Sequence, residues 1–199
     1  LIALPPLFSV GVVAVYEFAR QQARSMQEAL SGTSFARLDK HTPISSVENP
    51  RLVDVTDAMR RFAHKGKEDL EVRGLVEEIC RGLQQGDYVG EALACYYWVC
   101  QNIRYLRDIS GVEFVKEPRK TIETRTGDCD DMATLLAAML MSCGNTCRFV
   151  LVGFKAKTPP SHVFVEVLTP NGPVALDPVA NRETQQMLQR AKTRIEVKV

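Results

Sequence analysis

Cys129, His162 and Asp177 are the residues of this chain whose types and order suit nucleophilic thiol chemistry. Cys129 lies in "TRTGDCDDMATLLAAML" (124–140), where an apolar helical run begins. His162 opens "HVFVEVL", and Asp177 falls near the end of "VALDP". A cysteine nucleophile needs an imidazole to accept its proton, and usually a carboxylate or amide to orient that ring. Each residue alone has a plainer role: an inert buried thiol, a satisfied strand histidine, a turn aspartate before proline. Together, on a helix, a strand and the next strand, they form a candidate triad. His41 and His64 have no such cysteine or carboxylate context.

The neighbours of Cys129 raise a difficulty. A thiol reacts as its thiolate, and Asp128, Asp130 and Asp131 oppose that ionisation. The first turn of a helix nevertheless favours carboxylates, through its free N–H groups and the positive end of its dipole. The three are therefore expected to be helix-start charges directed around the helix, away from the thiol. Calcium binding fits less well, because the cluster lacks the alternate ligand spacing and glycine of an EF-hand loop. A helix terminus and a nearby imidazolium would lower the thiol pKa, and geometry decides which effect wins.

The elements that must position these residues follow from periodicity. A helix is expected over about 7–30, ending at Ser31-Gly32, followed by a Ser/Thr/Pro/Gly-rich arm to residue 50. Pro50 opens a helix with Val53, Val55, Met59 and Phe62 inward. A second runs from Asp69 to Leu83 with Leu70, Leu75, Val76, Ile79 and Leu83 inward. A third, "GEALACYYWVCQNIRYLRD", turns Cys95, Trp98 and Val99 to the core. "GVEFVKEPRKTIETRTG" reads as extended or irregular. The Cys129 helix carries Met132, Leu135, Leu136, Met139, Leu140 and Cys143 as one stripe and is capped by Gly144-Asn145. Strands follow at 147–154, 162–168 and 174–178, then a helix over 182–191 and an edge strand in "TRIEVKV". Helices first and antiparallel strands afterwards make this an α+β fold, the sheet packed on the cysteine-bearing helix.

Register is the tightest constraint. Direct pairing of His162 with Asp177 needs a wide loop around 168–172. The turn signal Asn171-Gly172 instead sets Asp177 opposite Glu166, about 13 Å along the strand from His162. Both registers keep the two residues on one sheet face. The wider loop is expected.

Composition bounds the rest. The 199 residues, 45% hydrophobic and 25% charged, suit one domain with a substantial core. A net charge of +1 gives no electrostatic reason to propose nucleic acid. The six cysteines show no CxxC pair or histidine-rich partner for zinc, so buried free thiols in a reducing compartment are expected. Residues 1–16 carry no charge, yet the run is shorter than the ~18–20 residues of a membrane span and contains Pro5-Pro6. It also lacks the basic start and cleavage site of a secretory signal. It reads as a helix buried against the body or a partner, or as an interfacial anchor.

"RTGDCDDMATLLAAMLMSCG", "CRFVLVGF", "SHVFVEV" and "VALDPV" together resemble the core of the transglutaminase-like superfamily of cysteine enzymes. That pattern has G-x-C opening a helix, His beginning one strand and L-D-P ending the next. "WVCQNIRYLRD" is similar to the W-x-x-x-x-I-x-Y helix that often precedes the core. Residues 49–178 resemble transglutaminase-like proteins of bacteriophages and prophages, with 1–48 outside the resemblance. The implied division is an apolar N-terminal helix and arm (1–48) and a transglutaminase-like domain (49–199). The latter comprises a helical part (49–118), the Cys-His-Asp core (119–180) and a C-terminal helix and strand (181–199).

The resemblance implies a papain-like arrangement with Cys129 as nucleophile, His162 as general base and acid, and Asp177 orienting the imidazole. It implies acyl transfer or hydrolysis at a protein or peptide amide through a thioester, with no cofactor or metal. The Cys129 N–H is the expected oxyanion donor; Trp98, Gln101 and Tyr105 are side-chain candidates, Trp98 and Tyr105 reading better as core. A different reading is a virion or assembly component that keeps the fold for binding, with residues 1–30 contacting a membrane or neighbouring subunit. An acetyltransferase on a related fold lacks a visible acyl-donor site.

Overall fold

A computed structural model describes residues 50–84, 86–108, 114–155, 159–179 and 191–199. In α1 (Pro50–Glu68), Thr56, Met59, Ala63 and Gly66 are buried along one stripe, and Leu52, Val55 and Phe62 flank it. A Cβ on Gly66 would lie 2.5 Å from Pro118 Cγ and 3.0 Å from Ala138 Cβ. Only glycine allows that approach.

Asp69 caps α2 (Leu70–Ile79), accepting the N–H groups of Glu71 and Val72. This cap puts Val72 and Val76 in the core and leaves Leu70 85% exposed. Leu70, expected inward, lies two residues and so about 200° from Val72 around the helix. The helix also stops at Cys80 rather than Leu83, before Gly82 at φ 91°. In α3 (Tyr88–Asn102), capped by Asp87, residues Ala92, Leu93, Cys95, Trp98 and Val99 are buried, as the periodicity requires.

The stretch expected to be extended or irregular instead contains α4 (Pro118–Thr124). Proline at N1 loses no hydrogen bond there; Thr121 and Ile122 turn inward, and Arg125 ends the helix at φ 54°. Two short strands, β1 (Arg104–Tyr105) and β2 (Thr126–Gly127), pair in parallel. They tie the end of α3 to the residues just before Cys129.

The expected stripe of α5 (Cys129–Ser142) is present, but residues 130–140 are buried all round. The helix lies between α1 and α3 on one side and the sheet on the other, a central position that suits its alanines. It ends at Gly144, φ 81°, with the Asn145 N–H donating to the Leu140 carbonyl at 3.0 Å.

The sheet comprises β3 (Cys147–Gly153), β4 (His162–Thr169), β5 (Gly172–Leu176) and β6 (Thr193–Lys198). It is antiparallel, in the order β5-β4-β3-β6, so β6 occupies the expected edge. Thr169 pairs with Gly172, leaving a two-residue turn at Pro170-Asn171. The Thr169 hydroxyl donates to the Gly172 carbonyl (2.7 Å) and accepts the Asn171 N–H (3.2 Å), and Gly172 adopts φ 110°. The wide loop is therefore replaced by a tight, side-chain-stabilised turn. Val165 faces Leu176, so the register continued by one residue sets Asp177 opposite Phe164. His162 and Asp177 are diagonal neighbours, intermediate between the two registers considered.

Sheet faces divide cleanly. Phe149, Leu151, Val163, Val165, Val167 and Val197 join the core built on α5. Val150, Val152 and Phe164 form a second cluster on the other face, beside Glu166, which pairs with Arg148 and Arg194. Among the described residues no helix is long and apolar enough to cross a membrane. The expected helices over 7–30 and 182–191, the arm and the apolar anchor lie outside the described residues.

Candidate active site

His162, the first residue of β4, and Asp177, just past β5, meet across their diagonal with Nε2 and Oδ2 2.6 Å apart. Diagonal positions are ~7–8 Å apart at the backbone, a gap that an imidazole and a carboxylate together can close. Asp177 is fully buried and His162 nearly so. The other carboxylate oxygen, Oδ1, accepts the Val179 N–H at 3.1 Å, and the Asp177 carbonyl accepts from Tyr96 Oη at 3.2 Å. A carboxylate only accepts, so Nε2 carries the ring hydrogen and Nδ1 is left as the base. Phe164 stacks beside the imidazole, ring centroids 6.4 Å apart.

Cys129, first residue of α5, is half-buried against the core. Its sulfur accepts the backbone N–H of Val163, the residue after His162. β5 ends at Leu176, opposite Val165, so Val163 has no strand partner on that side and its N–H serves the thiol. The thiol thus meets the end of the sheet, whereas α5 packs on the face carrying Val163 and Val165. His162 shares the opposite face with Phe164, one residue from the Val163 N–H that faces the thiol.

Burial first, then the charges of Asp130 and Asp128, push the Cys129 thiol up to about 12; the Val163 N–H opposes this only in part. Asp128 is the N-cap and forms a reciprocal capping box with Asp131, as helix-start residues should. Asp130 departs from the expected capping charge. Burial and a hydrogen bond with Asp128 push its carboxyl up to about 9, so near neutral pH it holds a proton and its opposition to the thiolate is muted.

This carboxyl also makes stability pH-dependent. Its folded pKa lies above the unfolded 3.8, so its contribution is complete below pH ~4 and is lost as pH rises toward ~9. Asp130→Asn, neutral throughout, is expected to match the parent near pH 4 and exceed it toward pH 9. A gain on the order of 1–3 kcal/mol is expected there, read by thermal unfolding across pH. Parallel curves for the two proteins would contradict the assignment.

Asp131 is fully buried. It accepts the Lys116 backbone N–H at 2.6 Å, pairs with the Lys116 ammonium and reaches the Asp128 N–H at 3.4 Å. Burial alone would lower the Lys116 pKa; the hydrogen bond and charge of Asp131 outweigh it and leave the pKa raised. The glycine of G-x-C is explained at the same spot. A Cβ on Gly127 would lie 2.7 Å from Asp131 Cβ and 3.4 Å from Thr121 Cγ2. Gly127→Ala is therefore expected to cost about 1–3 kcal/mol in denaturant unfolding.

Of the side chains considered for an oxyanion hole, Trp98 is core, with the Arg125 guanidinium 4.8 Å from its ring centroid. Gln101 is exposed. Tyr105, expected in the core, is 43% exposed, because pairing with β2 occupies the backbone of β1 and not its side chains. A cavity of about 440 Å³ has Cys100, Gln101, Asn102, Arg104, Arg125 and Thr126 in its lining; it includes Gln101 but none of Cys129, His162 and Asp177. The roles of Tyr96, Lys116 and the Val163 N–H had no sequence signal, since each depends on a contact between distant segments.

Residues 73–178 match the sequence profile of the transglutaminase-like superfamily. A candidate protease structure from Parabacteroides distasonis superposes with a TM-score of 0.51 at 13% identity, covering 72% of this chain and 31% of that one. A candidate cysteine protease from Cytophaga hutchinsonii gives 0.46 at 20% identity, covering 64% and 41%. Legionella pneumophila LapG gives 0.35 at 18%, covering 55% and 72%. The chain thus spans less than half the length of the first two structures. No curated protein matches it.

Proposed function

Because the chain belongs to the transglutaminase-like superfamily, we propose that it is a thiol-dependent hydrolase or acyltransferase acting on protein or peptide amides. Cys129 is the nucleophile, His162 the general base and acid, and Asp177 the orienting carboxylate. The observation that supports this most is the 2.6 Å His162–Asp177 contact formed one residue from the N–H that touches the Cys129 sulfur.

In this reading Nδ1 of His162 takes the thiol proton as sulfur attacks the amide carbonyl carbon. The Cys129 N–H, in the first turn of α5 where intrahelical acceptors are lacking, holds the developing oxyanion. Imidazolium returns the proton to the leaving amine, giving a thioester. Water, or a second amine, then attacks the thioester with His162 again as base, releasing the thiol. Hydrolase and transferase differ only in that last acceptor.

The test is incubation of the full chain with a protein-derived peptide pool, with and without a tagged primary amine, against Cys129→Ser. New peptide termini support hydrolysis; tagged peptides support transfer. A product profile identical to Cys129→Ser would overturn the proposal. It would favour the second reading, a binding or virion-assembly component using the same fold. The thiol held up to about 12 supports that alternative, and the proposed kinship with bacteriophage proteins belongs with it.

A further inference from the structure

Three other cysteines, distant in sequence, come together at the opposite end of α5. Cys80 is the C-cap of α2, Cys95 lies within α3, and Cys143 is the C-cap of α5. Their sulfurs all lie within 4.8 Å of one another, with Cys95 and Cys143 3.9 Å apart. Both of those thiols hydrogen-bond Cys80.

We propose that Cys80, Cys95 and Cys143 form a binding site for a thiophilic divalent cation, zinc above all. Zinc–sulfur bonds of ~2.3 Å set tetrahedral sulfur edges of about 3.8 Å, close to the 3.9 Å between Cys95 and Cys143, with the Cys80 sulfur within 4.8 Å of both. Two of the three ligands cap helix C-termini, where unpaired carbonyls favour a cation. Cys95 is fully buried while Cys80 and Cys143 are half-buried, so an ion can enter from the surface. Each thiol gives up its proton to solvent as its metal–sulfur bond forms, so binding weakens as pH falls. Nothing is oxidised or reduced.

The ion would pin the ends of α2 and α5 to α3. The site lies about 20 Å along α5 from Cys129, by 14 residues at ~1.5 Å each, so it is structural and independent of the acyl-transfer reading. Sequence spacing hides it, because the ligands come from three separate helices.

Reduced, chelator-treated full chain, titrated with Zn2+ against a chromophoric chelator, is expected to bind one equivalent and to melt at a higher temperature. Co2+ in its place is expected to give thiolate-to-metal charge-transfer absorption. Cys80→Ser and Cys143→Ser, each checked for a native circular dichroism spectrum, should weaken binding at least tenfold, whereas Cys100→Ser should not. Absence of charge-transfer absorption in the parent protein would overturn the proposal. So would Zn2+ affinity equal in the parent and Cys80→Ser, or a Cys95–Cys143 disulfide that persists under reductant.

Discussion

His162→Ala is expected to lower turnover of the peptide pool by about 10²–10⁴-fold, well beyond the loss of about 1–3 kcal/mol in unfolding expected from leaving the buried Asp177 carboxylate with only its Val179 partner. The reason is the resting state of the nucleophile. With its pKa pushed up to about 12, chiefly by burial, an unaided Cys129 thiol would be almost wholly protonated at pH 7. The aspartates do not supply a base, since Asp130 is itself protonated there and Asp131 is committed to Lys116. Proton transfer to His162 is therefore the route to a thiolate. In the variant the residual rate should rise about tenfold per pH unit from pH 7 to 9, tracking the unaided thiolate. In the parent it should depend on pH less steeply over the same range. Asp177→Ala should fall less, because Nδ1 keeps its lone pair and only the ring's orientation is lost. A His162→Ala rate within threefold of the parent would rule out its role as base.

Asp131→Ala carries the largest expected effect on stability, a loss of about 3 kcal/mol. Removing one partner of a buried ion pair typically costs ~3–5 kcal/mol. The low end applies because Lys116 is partly exposed and can turn its ammonium to water. What cannot be recovered is the acceptor for the Lys116 and Asp128 backbone N–H groups. For a chain of this size the midpoint should drop about 6–12 °C. Asp131→Asn keeps one acceptor oxygen and should lose roughly half as much. Because Asp131 anchors the first turn of α5, the alanine variant should also lose Cys129-dependent turnover before it unfolds globally. A midpoint unchanged within 2 °C would show that the first turn is held by other contacts.

Much of this was legible in the sequence because it is periodic or local. The stripe from Met132 to Cys143 marked α5, Asp128 and Asp131 marked its cap, and alternation marked β3 and β4. What was not legible depends on contacts between distant segments. Leu70 reads as core until Asp69 is known to be the cap. α4 is only seven residues long, too short for a stripe to stand out. The turn at Pro170-Asn171 depends on the Thr169 hydroxyl, and its choice fixed a diagonal His162–Asp177 contact rather than the direct pair expected. The aspartates beside Cys129 read as helix-start charges; the burial that raises the Asp130 pKa comes from elements packed around it. The three-thiol cluster is invisible for the same reason.

Competitive alkylation of the six cysteines in the folded chain, followed residue by residue by mass spectrometry near pH 7.5, tests the nucleophile directly. Cys129 is expected to react at least tenfold faster than any other cysteine, and to lose that lead in His162→Ala. Cys129 labelling no faster than the half-buried Cys100 would contradict a nucleophilic Cys129 and leave the fold serving binding alone.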